Sequence, residues 1–284
     1  MAVYIVTGHL GSGKSLLSVR IAHDYLKQGR RVASNITLNL DKLLPAQSRT
    51  TAVKLPYIPN QAHLEALGQG YDGPYDEEKF GCLILDEAGT WLNSRDWNDK
   101  DRRGLFTWIT HARKHGWDVL LLVQDWESLD AQIRRSVCEL YVSCSRTDRV
   151  KVPYLPVKLP KYHVATARYL GPDGPVSKRW FAKGEEYFPA YDTREAIRPE
   201  LTYTEAGPVD ARAMYTLLSP WHTTGRYLKP VAPFWFRLFV FVVSRPLVWI
   251  AKPLPQPQPA PRRPVAVISE SLPAYRLRRL SASS

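Results

Sequence analysis

Gly8-His9-Leu10-Gly11-Ser12-Gly13-Lys14-Ser15 sets glycines, a lysine and a hydroxyl in one short run. Such a run lets the backbone wrap closely around phosphate groups, and the start of a following helix adds a favourable dipole. Lys14 would reach the β- and γ-phosphates of a nucleoside triphosphate and Ser15 would ligate Mg2+. The competing reading is an ordinary glycine-rich turn. Context separates the two, because phosphate binding needs a strand before the glycines and a helix after them.

Leu83-Ile84-Leu85-Asp86-Glu87 presents two carboxylates at the C-terminal end of an apolar run, the edge at which ligands bind in open α/β sheets. Asp86 would hold the Mg2+ shell and Glu87 would act as general base on the attacking water. Two solvated acids at a strand end are common by themselves; the phosphate loop upstream gives this pair a chemistry. Gln124 follows the next apolar run, where its amide either contacts the γ-phosphate or the water, or merely caps the strand. Arg113 stands among His111, Lys114 and His115. It either complements the dipole at a helix end or acts as an arginine finger across the interface of a homo-oligomer, a role for which Arg134, Arg135 and Arg146 compete.

The elements that must position these groups follow from the apolar pattern. Residues 2–6 read as a buried parallel strand, and the spacing predicts a helix over 14–28 closed by Gly29. Further strands are expected at 31–35, 82–85, 119–123 and 140–144, with helices at 104–115 and, for a turn or two, 129–135. The polar stretch 39–79 offers only a short helix at 61–67. Strands alternating with helices imply a parallel sheet, here a RecA/ASCE-like P-loop NTPase domain over 1–145. Residues 146–225 read as a small β-rich accessory region. Its hairpin turns at Gly171-Pro172-Asp173-Gly174 between 162–169 and 176–181.

Hydrophobic residues make up 44 % and charged residues 23 % of the 284, which excludes a wholly disordered, collagen-like or polytopic membrane chain. Lys and Arg number 39 against 27 Asp and Glu, a formal net charge of +12 that attracts nucleic acid, phosphate or anionic lipid. Cys82, Cys138 and Cys144 show no metal-ligand spacing and are expected as reduced core cysteines. The opening MAVYIVTG has neither a basic n-region nor an apolar h-region with a cleavage site, so the N-terminal domain is expected in the cytoplasm. The apolar stretch 231–251 has the length of one membrane crossing, although Arg237, Arg245 and Pro246 interrupt it; an interfacial helix and a packed segment are its alternatives. The proline-alternating residues 252–284 should form an extended tail.

The phosphate loop near the N-terminus is followed by Leu85-Asp86-Glu87, by Asn93-Ser94-Arg95, and by His111-Ala112-Arg113-Lys114-His115-Gly116-Trp117-Asp118-Val119 leading into Gln124. Leu129-Asp130-Ala131-Gln132-Ile133-Arg134 and Tyr191-Asp192-Thr193 come later. This succession, over about residues 1–195, resembles the zonular occludens toxin (Zot) family, which includes the gene I assembly proteins of filamentous bacteriophages. The resemblance implies a P-loop ATPase using ATP and Mg2+, single-pass in the bacterial inner membrane with its ATPase domain cytoplasmic, that drives virion assembly and extrusion. It also implies partners: a phage DNA-protein filament or coat proteins, and other envelope assembly proteins including an outer-membrane secretin. One rival expectation is a soluble DNA-translocating or packaging ATPase, with 231–251 as a buried helix. Another is a toxin acting on host epithelium, against which the intact nucleotide motif argues.

Overall fold

Runs such as VYIVT, GCLIL and WDVLLL have no polar alternation, and a strand of that kind is stable only when both of its faces are covered. In the computed structural model these are β1 (Val3–Thr7), β4 (Gly81–Leu85) and β5 (Trp117–Leu122). The remaining strands are β2 (Val32–Ser34), β3 (Ala52–Lys54), β6 (Leu140–Arg146), β7 (His163–Tyr169), β8 (Val176–Ala182), β9 (Leu201–Thr204), β10 (Gly207–Asp210) and β11 (Tyr215–Leu217). The helices are α1 (Lys14–Lys27), α2 (Leu40–Leu43), α3 (Gln61–Ala66), α4 (Ala88–Trp91), α5 (Lys100–Thr110), α6 (Ala131–Val137) and α7 (Pro220–Thr223). The structure describes residues 3–92, 100–149, 160–191, 201–204, 207–210 and 213–228.

One nine-stranded sheet has the order β11-β3-β2-β4-β5-β1-β6-β7-β8. Its centre, β3 to β6, is parallel. β11 closes one edge antiparallel to β3, and the β7–β8 hairpin extends the other edge antiparallel to β6. The residues expected as an accessory hairpin therefore continue the central sheet. β9 and β10 pair separately. The strand that precedes the phosphate loop, β1, is separated from the acidic strand, β4, by β5 alone.

Successive side chains of a strand point to opposite faces, and the core divides accordingly. Val6, Cys82, Ile84, Leu120 and Leu122 pack beneath α1 with Leu16, Val19 and Leu26. Ile5, Leu83, Leu85, Val119 and Leu121 pack on the other face with Leu105, Ile109 and Ile133 of α5 and α6. Two of the strands that escape the pattern reading, β3 and β11, pair at one side of the sheet. β3 has three residues and ends in Lys54, only 7 % exposed, while β11 joins it from far along the chain. The helix expected over 104–115 ends at Thr110; Ala112–His115 is a 3₁₀ turn, and Gly116, at φ 69°, redirects the chain into β5. All three cysteines are free and buried. Burial pushes each thiol up, Cys138 and Cys144 to about 12.

The expected transmembrane helix is a correction. Among the described residues no helix is long and apolar enough to cross a membrane. The stretch 231–251 and the tail 252–284 lie outside the described residues, as do Asn93-Ser94-Arg95 and Asp192-Thr193. The physical ground was already thin: Arg237 and Arg245 leave an uninterrupted apolar core over 238–244, far short of the roughly 20 residues a crossing needs. The fold class is thus a mixed α/β fold with no transmembrane helix among the described residues. The inner-membrane localisation and the inner-membrane extrusion motor are withdrawn with it.

Asp118, the second residue of β5, is 4 % exposed, and a buried carboxylate must be compensated. It accepts a hydrogen bond from the Tyr25 hydroxyl at 2.7 Å and faces Arg30 Nη2 at 3.3 Å. Arg30 in turn donates through Nε to Phe80 O at 2.6 Å and lies over the Tyr25 ring. This cluster ties α1 and the turn after it to β4 and β5. Arg30→Ala should destabilise the fold by about 3–5 kcal/mol in urea unfolding, the range for stripping one partner from a buried pair. A loss below about 1 kcal/mol would mean that Asp118 is compensated without Arg30.

Candidate nucleotide site

The loop between β1 and α1 is built on close backbone approach. Gly8 and Gly13 have φ of 145° and 102°, values that L side chains rarely adopt. A Cβ at Gly8 would lie 2.6 Å from both Cys144 O and Ser12 Oγ, and one at Gly13 would run into the ring of His163. The first turn of α1 leaves amide N–H groups without helical acceptors, and Gly13 offers no side-chain cap. The Ser12 hydroxyl is buried without a partner among the described residues. Uncapped amides, an orphaned hydroxyl and missing Cβ atoms fit a phosphate group. His9 and Leu10 form the exposed outer part of the loop.

Lys14 Nζ donates to Gly8 O at 2.8 Å, so its charge lies across the loop. Ser15 Oγ donates to Asp86 Oδ2 at 3.4 Å. One hydroxyl and one carboxylate suit Mg2+, which keeps several waters and shares its remaining positions with phosphates. No cluster of three metal-ligating side chains exists among the described residues.

Asp86 is held by Asn35, a residue only 2 % exposed. Asn35 Nδ2 donates to Asp86 O at 3.0 Å and to Tyr57 O at 2.9 Å, and Asn35 Oδ1 accepts from Asp86 N at 2.7 Å. Lys54 Nζ fixes Asn35 O at 2.6 Å. Burial raises the Asp86 carboxyl above its ordinary value; the Glu87 amide lowers it, the Glu87 carboxylate raises it further, and Lys14 and the Ser15 hydroxyl pull it down. Glu87 sits at φ 55° with its N–H on Asp86 Oδ1 at 2.8 Å. Left-handed backbone in a non-glycine residue costs about 1–3 kcal/mol and concentrates at functional sites. Gln124 Nε2 stands 3.5 Å from Glu87 Oε2.

These groups share a cleft of about 630 Å³. Lys14, Ser15, Asp86 and Glu87 line it together, and Gln124 stands beside Glu87. Arg113 is elsewhere. It precedes β5, at the sheet edge opposite the phosphate loop, with Nε donating to Tyr75 Oη at 2.8 Å and an ion pair to Glu77. The arginine in the cleft is Arg146, whose Nη1 is 3.5 Å from Gly11 O and whose Nη2 pairs with Asp148. Sequence reasoning missed Asn35, Tyr57, Lys161, His163 and Phe188, which also line it. Burial beside Glu87 and Asp86 pushes the Tyr57 hydroxyl up. Burial, with Asp86 nearby, likewise pushes Tyr191 to about 12. Only Tyr191 carried a sequence signal, through the family-like Tyr191-Asp192-Thr193.

The family model "Zonular occludens toxin (Zot)" matches residues 2–179. The Gene 1 protein of Enterobacteria phage fd is 39% identical over 246 residues, covering 81% of this chain and 68% of the relative. The Gene 1 protein of Salmonella phage IKe is 35% identical over 256 residues, covering 84% and 67%. Among solved structures, the N-terminal domain of zonular occludens toxin from Neisseria meningitidis is similar at TM-score 0.42 and 18% identity, over 67% of this chain and 98% of that one. The genome packaging NTPase of Sulfolobus turreted icosahedral virus 2, in complex with ATP-gammaS, is similar at TM-score 0.39 and 14% identity, over 64% and 97%.

Because the folded protein raises the Asp86 carboxyl, its ionisation opposes folding as pH climbs through the carboxylate range. Asp86→Asn keeps an oxygen for the Glu87 amide and removes the charge. At pH 7 the nucleotide-free variant should melt higher than the parent. The gap should close below about pH 4, where the parent carboxyl is itself neutral. A variant that melts lower at pH 7 would show that the charge is already compensated.

Proposed function

The chain belongs to the zonular occludens toxin (Zot) family, and from that premise we propose that it is a Mg2+-dependent ATP hydrolase that translocates or packages phage DNA. The observation that carries the reading is the convergence of Lys14, Ser15, Asp86 and Glu87 in one cleft at the C-terminal edge of a parallel sheet.

Ser15 and Asp86 would hold Mg2+, and the cation would supply positive charge against that of the phosphates. Lys14 exchanges the Gly8 carbonyl for phosphate oxygens. Glu87 takes the proton of the attacking water, and Gln124, beside its carboxylate, orients that water or the γ-phosphate. Arg146 supplies further positive charge at the loop. Arg113 reaches no phosphate of its own chain, so a finger role for it would require a homo-oligomer in which one subunit serves the next. The net charge of +12 supports phage DNA, bare or protein-coated, as cargo.

Lys14→Ala should abolish ATP hydrolysis without unfolding the protein, and unchanged turnover would sink the ATPase reading. Glu87→Gln should still bind ATP while turnover falls at least about 100-fold, the range for losing a general base; equal loss of binding would make Glu87 a structural group or a metal ligand. Added DNA should raise turnover at low salt and lose its effect as salt increases. DNA without effect at low salt would remove it as the cargo.

A further inference from the structure

Asp86, Glu87 and Gln124 mark where the terminal phosphate of a bound nucleotide lies, at the ends of β4 and β5. These strands stand on one side of β1, so the sugar and base leave the loop toward the other side. There the cleft is walled by Lys161, His163 and Phe188. Phe188 follows β8 and opens the 3₁₀ turn Phe188–Ala190. The residue is 38% exposed, an unusual state for a phenylalanine whose neighbours Tyr187 and Ala190 are buried. The ring is nevertheless held. A Cβ at Gly184 would run into it, so it rests on bare backbone there. The His163 ring meets it edge-on, at 86° and 6.2 Å between centroids. His163 Nδ1 is 3.1 Å from Ser12 O, which registers the ring to the phosphate loop itself. Lys161 Nζ lies over the ring, 5.7 Å from its centroid, close enough to swing onto the edge of a base that takes that face.

A fixed, partly open aromatic face with a neighbouring ammonium, at the far end of a phosphate site, has the chemistry that holds a nucleobase. Every base has a π-face, and stacking is tolerant of its identity. We propose that Phe188 is the nucleobase platform of this site, with Lys161 hydrogen-bonding the acceptor edge of a purine stacked on it. The inference rests on the reading of the loop as a nucleoside triphosphate site and adds the part that recognises the base.

Two probes separate base from phosphate: ATP and inorganic tripolyphosphate, each titrated calorimetrically with Mg2+ into the full chain. The parent should bind ATP more tightly than tripolyphosphate. Phe188→Ala should weaken ATP about tenfold or more, in line with the loss of one stacked base, and leave tripolyphosphate within about twofold; Phe188→Trp should restore ATP binding. If Phe188→Ala does not fold, Phe188→Leu, which keeps apolar bulk over Gly184, takes its place with the same expectation. Unchanged ATP affinity overturns the platform, and so does an equal loss for both probes, which would make Phe188 a support of the loop. A parent chain that binds neither probe overturns the phosphate-loop reading as well, whereas one that binds tripolyphosphate as tightly as ATP overturns the platform alone.

Discussion

The loop over residues 8–15 can hold its shape only because two of its residues carry no Cβ. At Gly8 the space is taken by the Cys144 carbonyl of β6, and at Gly13 by the His163 ring of β7. The loop is therefore clasped from the side by strands that follow it in the chain by more than a hundred residues. Arg146 and His163 both approach its carbonyls, at Gly11 and Ser12. Interiors packed at this density transmit displacement rather than absorb it. The antiparallel hairpin at the sheet edge is consequently a wall of the cleft, and a shift of β7 relative to β6 would be felt by the backbone of the loop over residues 8–15.

The acidic side of the cleft is built by a different device. Asn35 and Lys54, both almost fully buried, use their hydrogen bonds on backbone and thereby fix the strand end from which Asp86 projects. Asp86 itself is desolvated and Glu87 is held in left-handed backbone. Both conditions cost stability, the pattern that concentrates at functional sites. The rigidity that sustains them comes from a sheet covered on both faces and from the buried Arg30–Asp118–Tyr25 cluster at its opposite edge.

The chemistry on the two sides differs as well. Carboxylates and an amide gather beyond β1 on the β4 and β5 side, while Arg146, Lys161 and an aromatic ring gather on the β6 and β7 side. A single cleft thus has a polarity along its length, set by which strands flank β1.

The sequence by itself determined what depends on near neighbours. Gly8 to Ser15 are legible because a phosphate loop is a local object, fixed by glycines at set offsets between a strand and a helix. Asp86, Glu87 and Gln124 are legible because strands buried on both faces are continuous apolar runs whose ends can be read off. Tertiary structure alone decided the rest. Asn35 and Lys54 look like ordinary polar residues until β2 and β3 lie beside β4, and β3 is too short and too polar to announce itself. Lys161, His163 and Phe188 enter the cleft because β7 pairs antiparallel with β6, a partner choice that no periodicity encodes. Arg113, expected to act across a subunit interface, lies before β5, and the strand's direction puts it at the end of the sheet away from its own chain's cleft. Spacing along a chain specifies contacts between residues a few positions apart; contacts across a sheet are set by strand order, and that is settled only when the faces of all the strands are buried together.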